Sequence, residues 1–413
     1  SGNYSTAIGK YNDVSNALFV IGNGTNDSNR SDALVVDFSN GMHLNGDLYM
    51  ANTVSDFSLN DTLTDDDGAS NDYLGRSVAM SQDGEYIFAG APEDLCGSVV
   101  VWKWDDGDGS YNQIQKLTDD DGVANDELGT SVATDPEGQF IAAGAPSDDS
   151  NKGSVLVELR STIFINYSKL TDDDGESGDQ LGTSVAIARY PTTLCVVAGA
   201  PGDDSNKGSV VVWKLVTSID NTQQKLTDDD GESGDQLGTS VSISENRQYI
   251  IAGAPYDHTI KGSDSGSVVV WELQGDGSYT QIQKLIDEVD GDTNDYLGSS
   301  VAISANGKYI VAGAPNNDFY DTNRGAVLVW ELIDGSYNYH SRLKGPIDTD
   351  YRLGSSVTIS ANGDTVIGAG YFQSDVVVIW KKDANNLFYH FKTYTYGNII
   401  GAYNASYNHT LAT

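Results

Sequence analysis

The chain has only two cysteines, Cys96 and Cys195, at non-equivalent points of its pattern, so no disulfide framework is legible and buried free thiols are expected. No run approaches the roughly 18 apolar residues that a membrane-spanning helix requires, so no membrane insertion is expected. Basic residues are scarce: 23 Lys and Arg against 60 Asp and Glu leave a formal charge of -37. Such a surface repels phosphate backbones and anionic lipid and favours solubility in salt, so nucleic acid is not an expected partner. The five histidines, His43, His258, His340, His390 and His409, share no metal-ligand spacing with one another or with a Cys or carboxylate pair. No Gly-rich phosphate loop opens a helix, and no helical periodicity is evident.

What the chain has instead is a repeat. Leu-Gly-x-Ser opens at Leu74, Leu128, Leu181, Leu237, Leu297 and Leu353, spaced 53 to 60 residues apart. From Leu237 the unit reads Leu-Gly-Thr-Ser-Val-Ser-Ile-Ser, a turn, Tyr-Ile-Ile-Ala-Gly-Ala-Pro, a polar loop, Gly-Ser-Val-Val-Val-Trp, a turn, and Tyr-Thr-Gln-Ile-Gln-Lys-Leu ending at Leu285. These are four short runs rich in Val, Ile and Tyr, bounded by Gly, Asn and Asp. A lone four-stranded sheet cannot bury both faces, and leaning each sheet radially on the next solves that. The expected fold is therefore all-β, a β-propeller of four-stranded blades, with seven blades expected and six the alternative. The count of seven rests on Tyr396-Gly397-Asn398-Ile399-Ile400-Gly401-Ala402, which reads as the start of one more repeat cut off at Thr413.

Within the repeats, Trp recurs in the third strand at Trp102, Trp213, Trp271, Trp330 and Trp380, and Glu158 takes that place in the second. So regular a Trp reads as packing between blades. Gly-Ala-Pro recurs from Gly90, Gly144, Gly199, Gly253 and Gly313, whereas the sixth repeat has Ala369-Gly370-Tyr371. The repeated Ser of Leu-Gly-x-Ser is structural, since a nucleophile is not needed six times. Phe57 to Leu63 matches a fourth strand but precedes the first full repeat, so it is expected to complete the last blade and close the ring from both chain ends.

Residues 1–55 do not fit the repeat. Ser5 to Gly24 repeats Ile-Gly after 13 residues, and Asp32 to Leu44 reads as a hairpin turned at Asn40-Gly41. This segment resembles the head repeats of trimeric autotransporter adhesins and the fibre segments of phage and large-virus tail proteins. The resemblance implies a thin β-rich stalk stabilised by trimerisation, hence a homo-oligomer, followed by a propeller domain over 56–413. Starting at Ser1 inside this pattern, the chain reads as a fragment or processed product. Asn-x-Ser/Thr sequons fall at Asn3, Asn23, Asn26, Asn29, Asn60, Asn166, Asn404 and Asn408, seven of them toward the two ends, as glycans on a secreted protein would be.

Leu-Gly-x-Ser-Val-Ala followed by Gly-Ala-Pro and Gly-Ser-Val-Val-Val resembles the FG-GAP repeat of integrin alpha propellers, over residues 56 to 400. The nearest likeness is to a bacterial and viral subtype in which an acidic loop leads into each repeat. Integrin repeats hold calcium in the hairpin between the first two strands, but here those turns, such as Asn306-Gly307 and Asn362-Gly363, are too short to wrap a cation that takes six to eight oxygens. The acidic loops are a separate question. They carry Asp65, Asp67 and Asp72; Asp119, Asp121 and Asp126; Asp172, Asp174 and Asp179; and Asp228, Asp230 and Asp235. These share one end of the disc with the loops between strands two and three. Clustered carboxylates are hard-cation ligands, so calcium bridging is one expectation and Asp-capped tight turns the other. Longer loops on the same face bring Tyr256, Phe319, Tyr320 and Arg324, the aromatic and Arg anchors expected to meet a protein or glycan partner. The whole reads as a non-enzymatic extracellular structural or adhesive protein, on a cell surface, appendage or virion. The alternative is an accessory or catalytic propeller of a glycan-active enzyme.

Overall fold

The computed structural model describes residues 63–160, 164–215, 221–317, 324–345, 352–370 and 376–395. The stalk-like segment 1–55 and the sequons Asn3, Asn23, Asn26, Asn29, Asn60, Asn404 and Asn408 lie outside the described residues. These residues form six sheets of four consecutive antiparallel strands, so the fold is an all-β propeller. The blades span 78–117, 131–170, 184–226, 240–285, 300–343 and 356–395.

Blade four shows why the sequence folds this way. Its strands are Ser240–Ile243, Tyr249–Ala254, Ser267–Leu273 and Tyr279–Leu285, running outward from the axis. In the third strand Val268 and Val270 pack with blade five, while Val269 and Trp271 pack with blade three. Alternate side chains thus enter the seams on either side, and an unbroken Val-Val-Val-Trp run is what a strand buried on both faces requires. Trp102, Trp213, Trp271, Trp330 and Trp380 are all nearly fully buried at a seam with the preceding blade.

The two glycine motifs meet across these seams. A Cβ placed on the Gly-Ala-Pro glycine of blades one to five would lie 1.8–1.9 Å from the Leu-Gly carbonyl oxygen of the next blade, as at Gly253 and Gly298. No side chain fits there, so both motifs persist because the backbones touch. The Leu-Gly-x-Ser hydroxyl reinforces the contact: Ser77, Ser131, Ser184 and Ser240 Oγ each donate to the next blade's Leu-Gly carbonyl at 2.7–3.0 Å. That geometry accounts for the repeated serine without chemistry.

The seam between blades six and one is built differently. Ala369 stands at the Gly-Ala-Pro glycine position, so this seam lacks the glycine that meets the Leu-Gly carbonyl at the other five. Apolar packing closes the ring there: Ile367, Val377, Ile379 and Tyr394 of blade six cluster with Val78, Met80, Ile87 and Trp102 of blade one. Because the sixth blade rests directly on the first, no space remains for a seventh, and six, the alternative count, is the one found. The expected seventh start, residues 396–402, lies outside the described residues. Closure by the leading segment also needs correcting. Blade six carries its own fourth strand, Phe388–Thr395, so that slot is filled, while Leu63 packs beside Tyr394 at the same seam. Residues 57–62 lie outside the described residues.

Replacing Gly253 by Ala forces blades four and five apart and is expected to cost roughly 3 kcal/mol or more. Gly275→Ala, in a turn with nothing within 4 Å of the added methyl, should stay within about 0.5 kcal/mol of the parent. Equal denaturant midpoints for the two variants would contradict the seam contact.

Candidate functional site

At one end of the disc lie the turns between the first two strands. Ser81, Ser244, Ser304 and Ser360 Oγ bond Asp83, Asn246, Asn306 and Asn362 at 2.6–2.9 Å, and all four hydroxyls accept from the backbone N–H five residues on, as Ser244 Oγ does from Tyr249 N at 2.9 Å. Each turn is closed by its own side chains.

The opposite end carries the acidic loops, and there the carboxylates converge on a lysine. Lys116 Nζ, from the fourth strand of blade one, lies 2.7 Å from Asp65, 2.6 Å from Asp67 and 2.7 Å from Asp94. In blade two Lys169 meets Asp119, Asp121 and Asp148 at 2.7–3.0 Å. In blade three Lys225 meets Asp172 at 2.7 Å, Asp203 at 3.0 Å and also Asp174. In blade four Lys284 meets Asp228, Asp230 and Asp257 at 2.5–2.9 Å. The first and third Asp of each triplet and one Asp of the loop between strands two and three thus share one ammonium. Gln113, Gln223 and Gln281 hold the inner carboxylates Asp65, Asp172 and Asp228 from the side.

The electrostatics follow. Burial alone would lower each lysine's pKa, but hydrogen bonds to three carboxylates outweigh it and hold all four ammonium groups above their ordinary value. The lysine hydrogen bond pulls the outer carboxyls of Asp67, Asp121, Asp174 and Asp230 down. Burial raises Asp119, Asp172 and Asp228, against the pull of the same lysines.

The remaining loop carboxylates, Asp72, Asp126, Asp179 and Asp235, are buried away from the lysine. Each accepts a backbone N–H three residues earlier, as Asp126 does from Val123 at 2.6 Å and Asp179 from Glu176 at 2.7 Å. They cap the loop's own turn. The four lysines were the residues of this site that the sequence hid. Their signal is a Lys-Leu that recurs just before the acidic loops at Asp119, Asp172, Asp228 and Asp287, but each lysine serves the loop ahead of its own blade, not the one that follows it.

The repeat unit is that of one family. The profile of the FG-GAP repeat matches residues 57–101, 111–157, 165–213, 221–271 and 279–330, more than half of the chain. The chain belongs to the FG-GAP repeat family. The matched units end before the sixth repeat, where Gly-Ala-Pro is lost. No curated protein matches this FG-GAP chain. Among solved structures it is similar to the periplasmic gluconolactonase PpgL of Pseudomonas aeruginosa, at 14% identity and TM-score 0.56, over 95% of this chain and 96% of that one. It is also similar to candidate 6-phosphogluconolactonases of Bacteroides fragilis and Bacteroides uniformis. Both align at 13% identity and TM-score 0.53, over 95% and 96% of this chain and 94% and 100% of theirs. Likeness at this identity shows the propeller fold alone.

Of the anchor residues expected on the loop face, Tyr256 is exposed and its ring lies 5.1 Å from that of Tyr296. Arg324 is half-buried, with its carbonyl accepting from Leu353 N at 3.0 Å; Phe319 and Tyr320 lie outside the described residues. The same face of the FG-GAP propeller carries the three most exposed large apolar side chains among the described residues: Ile260 at 90%, Leu95 at 83% and Val123 at 64%. Leu95 and Val123 sit on adjoining loops, joined by the bond from Asn125 N to the Leu95 carbonyl at 3.1 Å. Ile260 and the exposed Val289 adjoin likewise, with Lys261 Nζ donating to the Glu288 carbonyl at 2.6 Å.

Along the axis a cavity of about 130 Å³ is lined by the first strands of all six blades. Small side chains recur there at one repeat position: Ala79, Ala133, Ala186, Ser242, Ala302 and Thr358. Its two carboxylates are Asp135 and Glu245. Asp135 is fully buried and accepts from Gln139 N at 2.6 Å and Phe140 N at 2.8 Å, with Arg189 at 3.6 Å; burial pushes it up to about 6. Both cysteines are free thiols: Cys195 is buried and pushed up to about 11 by that burial, whereas Cys96 is only half-buried.

Glu158 is the anomaly. It replaces the seam Trp in blade two, lies opposite Asn166, the one sequon among the described residues, and is 4% exposed. Burial, with repulsion from Asp120 and Asp119, pushes it up to about 7. A raised acid favours the fold in its neutral form, so its contribution is present below its ordinary value of 4.5 and lost as pH rises through about 7. Glu158→Gln should therefore be more stable than the parent by roughly 1–2 kcal/mol at pH 8, the gap closing toward pH 5. A gap that does not change with pH would contradict the buried-acid assignment.

Proposed function

We propose that this FG-GAP propeller is a non-enzymatic structural or adhesive protein of an extracellular setting. It is a subunit of a fibre, surface appendage or virion exterior that offers its loop face to a protein or glycan partner. The observation that carries this reading is the exposure of Leu95 and Val123 on one pair of adjoining loops and of Ile260 and Val289 on another. Such side chains in the midst of aspartates gain nothing from water, and apolar anchors within a charged surround are the anatomy of a contact surface. Tyr256 and Arg324 belong to the same loop set and extend it; the other expected anchors, Phe319 and Tyr320, lie outside the described residues. The stalk-like residues 1–55 supply self-association in this reading, and glycans at the sequons mark exposed surface.

The alternative, a glycan-active propeller, needs a reactive constellation at a cleft or at the axis. Of the two carboxylates at the axis, Asp135 is committed to backbone N–H groups and to Arg189. At the recurring lining position around it, Ala79, Ala133, Ala186 and Ala302 carry no reactive group.

Binding of the labelled propeller to glycan arrays and to immobilised surface proteins tests the reading. Leu95→Asp with Ile260→Asp should leave the melting temperature within about 1 °C and cut binding roughly tenfold or more. Turnover of aldonolactones or glycosides by the pure protein, untouched by those changes, would contradict it.

A further inference from the structure

The geometry points to lysine as the resident cation of the acidic loops: we propose that blades one to four each hold a latent divalent-cation site that their own lysine keeps closed, so the native propeller needs no calcium. Calcium takes carboxylate oxygens at about 2.3–2.6 Å. The ammonium already takes oxygens of three separate carboxylates at similar range in all four blades, for example Asp228, Asp230 and Asp257 around Lys284. One set of oxygens cannot serve both cations, and a calcium ion would have to expel a largely buried ammonium into water. As they stand, the described residues present no group of three or more such ligands arranged for a metal.

Blade five supports the assignment independently, because there the cation and its partners change together. Arg342 stands in the lysine's register, and its guanidinium bonds Asp287 and lies 3.8 Å from Asp290. The third partner is no longer an Asp: Asn317 Oδ1 accepts from Arg342 Nη1 at 2.7 Å. A planar guanidinium with several donors suits a mixed set of carboxylate and amide. The side-chain cation and its third partner thus change in step, as the two halves of one ion pair do. Blade six has Thr393 at that register position, so the device ends where the repeat degenerates.

The test compares the chelator-stripped parent with Lys284→Met, which keeps the aliphatic stem and removes the charge, and with Lys284→Arg. The parent should show no stoichiometric calcium heat and a melting temperature that millimolar calcium moves by less than about 1 °C. Lys284→Met should melt roughly 3–6 °C lower in chelator, recover most of that loss in millimolar calcium, and bind about one calcium more than the parent. Lys284→Arg should stay independent of calcium. If Lys284→Met fails to fold in chelator, recovery of folded protein on refolding with calcium gives the same readout, repeated with Lys225→Met. Stoichiometric calcium binding by the parent overturns the proposal. So does a Lys284→Met protein that is as stable as the parent without calcium, or one that calcium does not restore.

Discussion

The contact on which this molecule depends is backbone against backbone: the glycine of Gly-Ala-Pro pressed on the Leu-Gly carbonyl of the next blade. Five seams share it, and at each a methyl group would collide with the neighbouring carbonyl oxygen. Around that approach the remaining elements follow. The serine hydroxyl reaches the same carbonyl, the third strand becomes buried on both faces, and the indole fills the outer part of the seam. Where Ala369 breaks the rule, apolar side chains from blades six and one close the ring instead.

The second constraint is charge. A chain with 60 acidic residues cannot leave its loops as bare carboxylate clusters without repulsion. Four lysines and Arg342 neutralise them locally, each spanning its own blade's fourth strand, its leading loop and the loop between its second and third strands. That leaves the surrounding aspartates exposed and one end of the disc strongly negative, with Leu95, Val123, Ile260 and Val289 as apolar points within it.

Much of this was legible in the sequence because repeats repeat their reasons. The four strands, the Trp seams and the structural serine followed from period and residue type, and the structure agrees with each. The blade number did not, because it is set by the angle between neighbouring sheets. Residues 396–402, which read as a seventh start, lie outside the described residues. The lysines were hidden for another reason. Lys116 stands three residues before Asp119 in the chain yet serves Asp65 and Asp67, so proximity in sequence pointed to the wrong loop. Glu158 was visible as an exception to the Trp pattern, but its burial, and so its altered acidity, needed the fold.

A crystal structure of the chain tests the central claim most directly. The account predicts six blades, van der Waals contact between the two motif glycines at five seams, and a sixth seam filled by Ile367, Ile379 and Tyr394. A seventh blade between the first and the sixth, or a layer of side chains separating Gly253 from Gly298, would contradict it.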